Sequence, residues 1–330
     1  MSARHFQRLS GDATLPAELR RGVVAIGNFD GVHRGHQAVL ERAREEADRR
    51  GVPALVLTFQ PHPRTVFRPD VPLFLITPPP MKARLVAELG FDAIVEQAFT
   101  RGFASQSAEQ FVTDILERNL GISHAVTGFD FHFGKDRRGG PAFLMASGER
   151  HGFGVSLVDP FRDEGAEIVS SSRIRSLLGD GNVAEAAGLL GYRYAVAEPI
   201  VQGKQLGRTL GYPTANMVLP QATELAHGIY AVRLGRADGS LHDGVASFGR
   251  RPTVDVDGAP LLETFIFDFS GDLYGEICAV SFFGFLRGEE KFDGLDALVA
   301  QMGQDEAEAR ALLSGVRPLS VLDARVSFAD

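Results

Sequence analysis

Two histidines three residues apart, His33 and His36, are the side chains whose type and spacing most directly suggest chemistry. They lie in the segment IGNFDGVHRGH at residues 26–36, with Gly31 and Gly35 beside them. The pattern of a buried strand precedes the turn, and an amphipathic helix pattern begins near Gly35. Unpaired N–H groups at a helix start attract anions, and glycine lets a phosphate approach the backbone. We therefore predict a phosphate site here, with both imidazoles directed at it.

The order His33-Arg34-Gly35-His36 resembles the HxGH signature of the nucleotidyltransferase superfamily. In that superfamily the two imidazoles hold the phosphates of ATP and stabilise charge on the α-phosphoryl group during transfer. The alternative is that a chance HxGH lies at a polar surface turn. The strand before the segment and the amphipathic helix after it favour the functional interpretation.

The elements around this segment alternate between strand and helix patterns. Strands are predicted at residues 23–26, 54–59, 92–95, 122–127 and 155–158, and helices at 35–50, 81–89 and 108–120. This alternation predicts a parallel sheet covered by helices. Ligands of such sheets bind at the carboxyl ends of the strands, where the motif loops fall.

Three further segments follow predicted strands. Residues 60–64, QPHPR, are predicted as a rigid loop. Residues 128–139, GFDFHFGKDRRG, carry three phenylalanines that either line an aromatic pocket or belong to a core strand. Residues 169–175, VSSSRIR, begin a helix, where serine is either an ordinary N-cap or part of a phosphate site together with Arg175.

The second half of the chain has a different pattern. Strands with short turns at residues 192–201, 228–234, 241–248, 262–269 and 276–285 predict a small antiparallel barrel. Asp293 is predicted to cap a final helix. Its apolar stripe, Leu295, Leu298, Val299 and Met302, is predicted to pack on the barrel.

Residues 203–211 place glycine at every fourth position beside Lys204 and Arg208. This is neither a P-loop nor a GxGxxG fingerprint, so the segment is either a flexible surface loop or a loop that folds over a polyphosphate. Directly after it, Thr214 and Asn216 offer neutral oxygen ligands of the kind that Mg²⁺ accepts.

In this order, GNFDGVHRGHQ, TFQPHPR, GFDFHFGKDRRG and VSSSRIR resemble the adenylyltransferase module of the bacterial bifunctional riboflavin kinase and FAD synthetase family. GRTLGYPTANM, GIYAV, GRRPT, LLETFIFDFSGDLYG and FLRGEEKF resemble its riboflavin kinase module. The resemblance implies an α/β parallel-sheet nucleotidyltransferase domain (HUP-like, Rossmann-like) at residues 1–185. It implies an antiparallel β-barrel kinase domain with a C-terminal helix at residues 186–330.

The implied reactions are phosphorylation of riboflavin by ATP to FMN, and adenylylation of FMN by a second ATP to FAD and pyrophosphate, with Mg²⁺ in both. For the adenylyltransferase, the resemblance assigns ATP binding to Gly27, Asn28, Phe29, Asp30, Gly31, His33, His36, Ser171, Ser172 and Arg175. It assigns flavin binding there to Phe59, His62, Arg64, Asp130, Phe131 and Phe133.

For the kinase, the resemblance assigns ATP binding to Gly203, Lys204, Gly207, Arg208, Gly211, Thr214 and Asn216, the last two also holding the metal. It assigns flavin binding to Glu263, Phe285 and Arg287, with Glu263 as general base for the ribityl 5′-hydroxyl. The chain departs from the family at His132, Ser172, Ser247 and Phe265, where arginine, threonine, asparagine and histidine are common.

Composition narrows the remaining classes of function. The formal net charge of −8 argues against non-specific binding to nucleic acid or to an acidic membrane. A single cysteine, Cys278, leaves no disulfide framework and no cysteine-cluster metal site. The first residues lack the apolar stretch of a signal peptide, so we expect a cytoplasmic protein. The sequence does not determine the number of subunits.

Two alternative functions follow from the same residues. An adenylyltransferase for pantetheine phosphate or nicotinamide mononucleotide would share HxGH, but not the kinase-like second half. A flavin-responsive regulatory protein with one active site would need only one intact set of residues, whereas both sets are present.

Overall fold

The fold is described by a computed structural model for residues 5–203, 207, 210–250 and 258–328. The chain divides into two compact units. The first comprises Met1–Leu73 and Thr77–Ser170, and the second comprises Phe74–Ile76 and Ser171–Asp330.

A six-stranded parallel sheet organises the described part of the first unit. Its strands are β1 Gln7–Ser10, β2 Val23–Ile26, β3 Ala54–Gln60, β4 Ala93–Ala98, β5 His124–Gly128 and β6 Gly154–Val158. They lie side by side in the order β1-β4-β3-β2-β5-β6. The predicted parallel α/β sheet is confirmed. β1 was not predicted, because its four residues, QRLS, are too few and too polar for a buried-strand pattern.

Helices connect these strands. They are α1 Arg34–Arg50, α2 Pro63–Phe67, α3 Pro79–Glu88, α4 Arg101–Ala104, α5 Ala108–Gln110 and α6 Pro141–His151; α5 continues as a π-helix at Phe111–Asn119. The prediction of a loop throughout residues 60–64 is wrong at its end. Pro63 begins a short helix there, since proline suits the first helical position, where its missing N–H has no partner to lose.

An antiparallel sheet organises the second unit. Its described strands are β7 Ala195–Pro199, β8 Thr214–Val218, β9 Gly228–Gly235, β10 Leu241–Arg250, β11 Pro260–Ile266 and β12 Ile277–Arg287. They lie in the order β7-β12-β9-β10-β11-β8. A bridge between Val201 and Asn216 brings the two edges together, so the sheet nearly closes. The predicted barrel is confirmed.

Four helices accompany the barrel in the described part of this unit: α7 Ser171–Gly179, α8 Val183–Leu190, α9 Leu295–Gly315 and α10 Val321–Ser327. Asp323 of α10 is fully buried and pairs with the Arg193 guanidinium. It also accepts hydrogen bonds from the N–H groups of Arg193 (2.8 Å) and Leu319 (2.9 Å), so α10 is tied to the chain that enters β7.

The cap predicted for α9 is wrong. Gly294, not Asp293, occupies the N-cap position, and no side chain caps the helix. Of the predicted stripe, Leu295 is 60% exposed, whereas Leu298, Val299 and Met302 are half-buried. The buried side chains are instead Asp305, Ala309 and Leu313, one to three turns further on. This buried face could not be predicted from the sequence, because apolar residues occur on several sides of the helix and a buried aspartate is not part of an apolar pattern.

Among the described residues, no helix is both long enough and apolar enough to span a membrane.

Candidate active sites

The turn between β2 and α1 has an unusual backbone. Phe29, Gly31 and Val32 all have positive φ, at 49°, 92° and 37°. The left-handed region is unfavourable for a β-branched residue such as valine, and it persists only where surrounding contacts enforce it. Strain of this kind concentrates at functional sites, and the sequence pattern did not reveal it.

Several buried contacts hold the turn in place. The Asp30 carboxylate accepts the Thr77 N–H (3.1 Å), and the Gly31 N–H donates to the Thr77 hydroxyl (2.8 Å). The Gln37 side chain donates to the Val32 carbonyl (2.7 Å). The turn is therefore bonded both to the segment before α3 and to the first turn of α1.

The two histidines lie together at the start of α1. His33 is the N-cap residue, and its Nδ1 accepts the His36 N–H at 3.3 Å. The two imidazole rings are stacked, with centroids 3.6 Å apart and 18° between their planes. The edge of Phe29 contacts His36 at a centroid distance of 5.4 Å. The paired rings are thus brought to the helix start, as HxGH spacing suggests.

His36 is held in its neutral form. Burial lowers its pKa well below the ordinary value, and the positive charges of His33 and Lys82 lower it further. Among the described groups, its buried Nδ1 has no hydrogen-bond partner. An uncharged imidazole with an unused nitrogen, at the start of a helix, can accept or donate a proton in a hydrogen bond to an incoming phosphate.

The neighbouring strands deliver their loops to the same edge. At the end of β3, the Thr58 hydroxyl donates to the Asn28 carbonyl (3.0 Å). At the end of β5, the Thr127 hydroxyl donates to the Ile26 carbonyl (3.2 Å). The loops that carry the predicted flavin residues therefore flank the His33–His36 turn on both sides.

The loop after β3 combines buried and exposed aromatic rings. Phe59 is buried and contacts Phe99 and Phe103 at 5.9 and 6.0 Å between centroids. His62 caps α2 by accepting the Arg64 N–H (3.1 Å), and the Arg64 side chain is exposed. Phe67, at the end of α2, is 62% exposed with its edge on Phe99. The exposure of Phe67 could not be predicted from the sequence, because apolar periodicity does not distinguish an exposed phenylalanine from a buried one.

The loop after β5 also separates its phenylalanines. Phe133 is buried against Phe111, at 4.9 Å between centroids. Phe131 is half-buried and stacks on Phe133 at 5.4 Å, whereas Phe129 and Asp130 are exposed. Phe133 thus contributes to the core, and Phe131 offers an accessible ring. The segment is not a core strand, since β5 ends at Gly128, and its role as an aromatic pocket stays a prediction.

The remaining residues assigned to ATP in the adenylyltransferase are Ser171, Ser172 and Arg175. They lie in α7, which belongs to the second unit. Within that unit, Arg175 Nε donates to the Phe74 carbonyl at 2.7 Å. Their role in binding ATP stays a prediction.

In the barrel, strand register aligns the predicted kinase residues. Glu263 of β11 lies opposite Asn216 of β8 on one side and opposite Ser247 of β10 on the other. Ser247 lies opposite Ile229, which lies opposite Arg287 of β12. Directly opposed residues share a face at about 5 Å between Cβ atoms. A single row across five strands therefore carries Asn216, Glu263, Ser247 and Arg287.

Asn216 has the features of a ligand-binding amide. It is buried, its Nδ2 donates to the Thr214 carbonyl at 3.4 Å, and its Oδ1 has no hydrogen-bond partner among the described residues. Gly203 lies against it so closely that a Cβ there would overlap the amide group. The glycine-rich segment thus begins directly over Asn216.

Other predicted kinase residues are placed as follows. Gly207 accepts the Tyr212 N–H (2.8 Å), and Gly211 has a φ of 85°, which favours glycine. Lys204 and Arg208 lie outside the described residues. Arg287 forms a two-point ion pair with the buried Asp305 of α9 (2.8 and 2.7 Å). Phe285 lies in a different row, edge-on to Tyr230.

Glu263 is half-buried on the outward face of β11, while Leu262, Thr264 and Ile266 point inward. Its neighbours in the row are an amide and a hydroxyl, which suits a carboxylate that accepts a proton. Within the described residues, no group of three or more His, Cys, Asp and Glu side chains is arranged to hold a metal ion.

Comparison with known proteins assigns the two units. Residues 15–173 match the family model described as FAD synthetase, and residues 190–313 match the model described as riboflavin kinase. The chain belongs to the bifunctional riboflavin kinase/FMN adenylyltransferase family. The family resemblance seen in the motifs is thereby confirmed.

Members of this family match almost the whole chain. The bifunctional riboflavin kinase/FMN adenylyltransferase of Escherichia coli K12 is 38% identical over 297 residues, covering 90% of this chain and 94% of that protein. The Pseudomonas fluorescens protein of the same name is 40% identical over 307 residues, covering 93% and 98%.

A crystal structure described as a macrolide-efflux protein from Streptococcus pneumoniae is also similar. It has a TM-score of 0.81 and 32% identity, and the match covers 92% of this chain and 98% of that one. This likeness supports the fold assigned here, and the efflux activity in its description is said of that protein alone.

Proposed function

We propose that the protein phosphorylates riboflavin with ATP to give FMN, and then transfers AMP from a second ATP to FMN to give FAD and pyrophosphate. The observation that carries the proposal is the presence of two candidate sites in one chain. One is the stacked His33–His36 pair at a strained strand-to-helix turn. The other is the Asn216–Glu263–Ser247 row of the barrel.

In the kinase reaction, Glu263 removes the proton from the ribityl 5′-hydroxyl as that oxygen forms a bond to the γ-phosphorus. The bond from the γ-phosphorus to the β,γ-bridging oxygen breaks, and ADP leaves. A primary alcohol holds its proton tightly at neutral pH, so an aligned carboxylate is needed. Asn216 and Ser247 flank that carboxylate and restrict where the hydroxyl can lie.

In the adenylyltransferase reaction, a phosphate oxygen of FMN bonds to the α-phosphorus, and the bond to the leaving pyrophosphate breaks. No covalent enzyme intermediate is needed. The N–H groups at the start of α1 and the imidazole of His36 stabilise the charge that builds on the phosphoryl oxygens.

Magnesium is part of this proposal. Thr214 and Asn216 would hold the ion in the kinase, and the unpaired, buried Oδ1 of Asn216 fits an oxygen ligand for a hard cation. When bound, the ion neutralises phosphate charge in both reactions.

The accessible aromatic rings support a flavin site beside the His33–His36 turn. We infer that Phe67 and Phe131 present ring faces to the isoalloxazine, while Phe59 and Phe133 support them from the core. Substituting Phe67 or Phe131 by alanine is expected to weaken FMN binding by about fivefold, because each stacked ring contributes about 1 kcal/mol. Fluorescence titration with FMN measures this.

Phe67→Tyr is the matched control, since it keeps the ring and is expected to keep the affinity. Unchanged FMN binding in both alanine variants would refute the aromatic platform. Phe133→Ala is a poor test, because removing a buried ring weakens the core as well.

Incubation of the purified full chain with riboflavin, ATP and Mg²⁺, followed by chromatography of the flavins, tests the proposal as a whole. We expect FMN to form first and FAD to follow. Accumulation of FMN alone would leave the first unit without synthetase activity and favour a protein with one active site. Failure to convert riboflavin at all would refute the kinase assignment.

A further inference from the structure

A buried lysine lies directly behind the His33–His36 turn, and sequence analysis assigned it no role. Lys82 of α3 is only 5% exposed. Its Nζ donates to the Asn28 carbonyl at 2.6 Å and to the Thr58 hydroxyl at 3.3 Å. Burying a lysine amine costs free energy unless it is hydrogen-bonded, so its position at this turn requires an explanation.

We propose that Lys82 is a positioning residue of the adenylyltransferase site, where it fixes the turn at residues 27–32 and places a positive charge behind the bound phosphates. This inference rests on the adenylyltransferase function proposed above. It adds a residue to that site from a helix that none of the motifs includes.

The first argument is geometric. The Asn28 carbonyl accepts hydrogen bonds from both Lys82 and Thr58. In a trans peptide the carbonyl and the following N–H point in opposite directions. Holding the Asn28 carbonyl against Lys82 therefore turns the Phe29 N–H away from the lysine. Phe29 is also the first residue of the turn with positive φ, so Lys82 fixes the peptide unit where the strain begins.

The second argument is electrostatic. Burial lowers the pKa of Lys82 to about 8, while the carboxylates of Asp30 and Glu96 oppose that decrease. Both carboxylates have other partners, since Asp30 accepts the Thr77 N–H and Glu96 pairs with Arg8. At neutral pH the lysine is thus mostly a buried cation, and a phosphate at the turn would gain from its charge.

The charge of Lys82 also reaches His36. The lysine is one of the groups that lower the pKa of His36, together with burial and His33. Removing the lysine charge should therefore raise the pKa of His36. That shift can be measured without substrate, by following the His36 ring protons in an NMR titration.

The variants Lys82→Met, Lys82→Gln and Thr58→Val separate the contributions. Lys82→Met removes the charge and the donor, and Lys82→Gln removes the charge and keeps a donor. Thr58→Val keeps the charge, but it removes the neutral hydrogen bond to the same carbonyl and one of the two acceptors of Lys82. We expect kcat/KM for ATP in FAD formation to fall by about 100-fold in Lys82→Met, the size of effect that follows from a misplaced reactive group. Thr58→Val should lose less than about tenfold.

The pH profile distinguishes this role from packing alone. Because kcat/KM reports groups of the free enzyme, the unmodified chain should lose activity as pH rises through about 8 and Lys82 loses its proton. In Lys82→Met and Lys82→Gln that decrease should vanish, and the pKa of His36 should rise. Thr58→Val should keep both properties of the unmodified chain.

Either of two results would overturn the inference. In the first, Lys82→Met forms FAD at a rate within twofold of the unmodified chain. In the second, Lys82→Gln is folded and the pKa of His36 is unchanged. Equal losses in Lys82→Met and Thr58→Val with the alkaline decrease retained would overturn it as well. If the unmodified chain makes no FAD, the proposed function itself fails, and the His36 titration still tests whether the lysine charge acts at the turn. Circular dichroism melting confirms that each variant is folded.

Discussion

Replacing Glu263 by glutamine is expected to lower FMN formation from riboflavin by about 10³-fold while FMN is still converted to FAD. Glutamine keeps the size of the side chain and its place between Asn216 and Ser247, but it cannot accept the hydroxyl proton. Conversion of riboflavin and conversion of FMN, assayed separately by chromatography, measure the two activities of one preparation.

Glu198→Gln is the matched control for this substitution. Glu198 also lies on a strand of the barrel, opposite Cys278 on β12, and it does not belong to the Asn216–Arg287 row. Both activities should survive in this variant. Loss of both activities in Glu263→Gln would contradict two independent sites, and full retention of FMN formation would contradict the role of general base.

The second large effect is expected for His36→Ala, which should lower FAD formation from FMN by about 10² to 10³-fold. Losses of this size follow when one group that stabilises developing charge is removed. The substitution removes the imidazole stacked on His33 but leaves the His36 N–H, which donates to Nδ1 of the capping residue His33. FMN formation from riboflavin should be unchanged, because that reaction belongs to the barrel.

His151→Ala serves as the control for His36→Ala. His151 of α6 contacts Glu117 (2.8 Å) and Glu109 (3.2 Å) at the surface of the same unit. Exposed pairs of this kind contribute at most about 1 kcal/mol, so both activities should persist. Retained FAD synthesis in His36→Ala would count against the role given to that imidazole, and loss of FMN formation would indicate a general folding defect.

Local patterns were sufficient for much of the fold. The apolar run at β2 and the stripe of α1 predicted a strand-to-helix turn, and the structure has it within a residue or two. Strands of the barrel were predicted wherever apolar alternation was clear. β8 was not predicted, because Pro213 and the polar residues of PTAN do not form an apolar alternation. Pairing with β11 nevertheless makes the segment a strand.

The sequence by itself determined the two chemistries, because the signals for them are local. His33 and His36 are three residues apart at a helix start, and Thr214 and Asn216 are two apart in one segment. Residues this close along the chain keep nearly the same relation in any fold that preserves their secondary structure. Motif order and spacing therefore led to the family without coordinates.

Only the tertiary structure showed which distant side chains lie beside those motifs. Strand register, set by hydrogen bonds between segments far apart in sequence, placed Glu263 between Asn216 and Ser247. Helix packing carried Lys82 to the Asn28 carbonyl, 54 residues away along the chain. A lysine in an amphipathic helix has the pattern of a surface residue. The burial of Lys82 and its lowered pKa depend on contacts with distant segments, which no local pattern predicts. The strained turn beside it depends on such contacts as well.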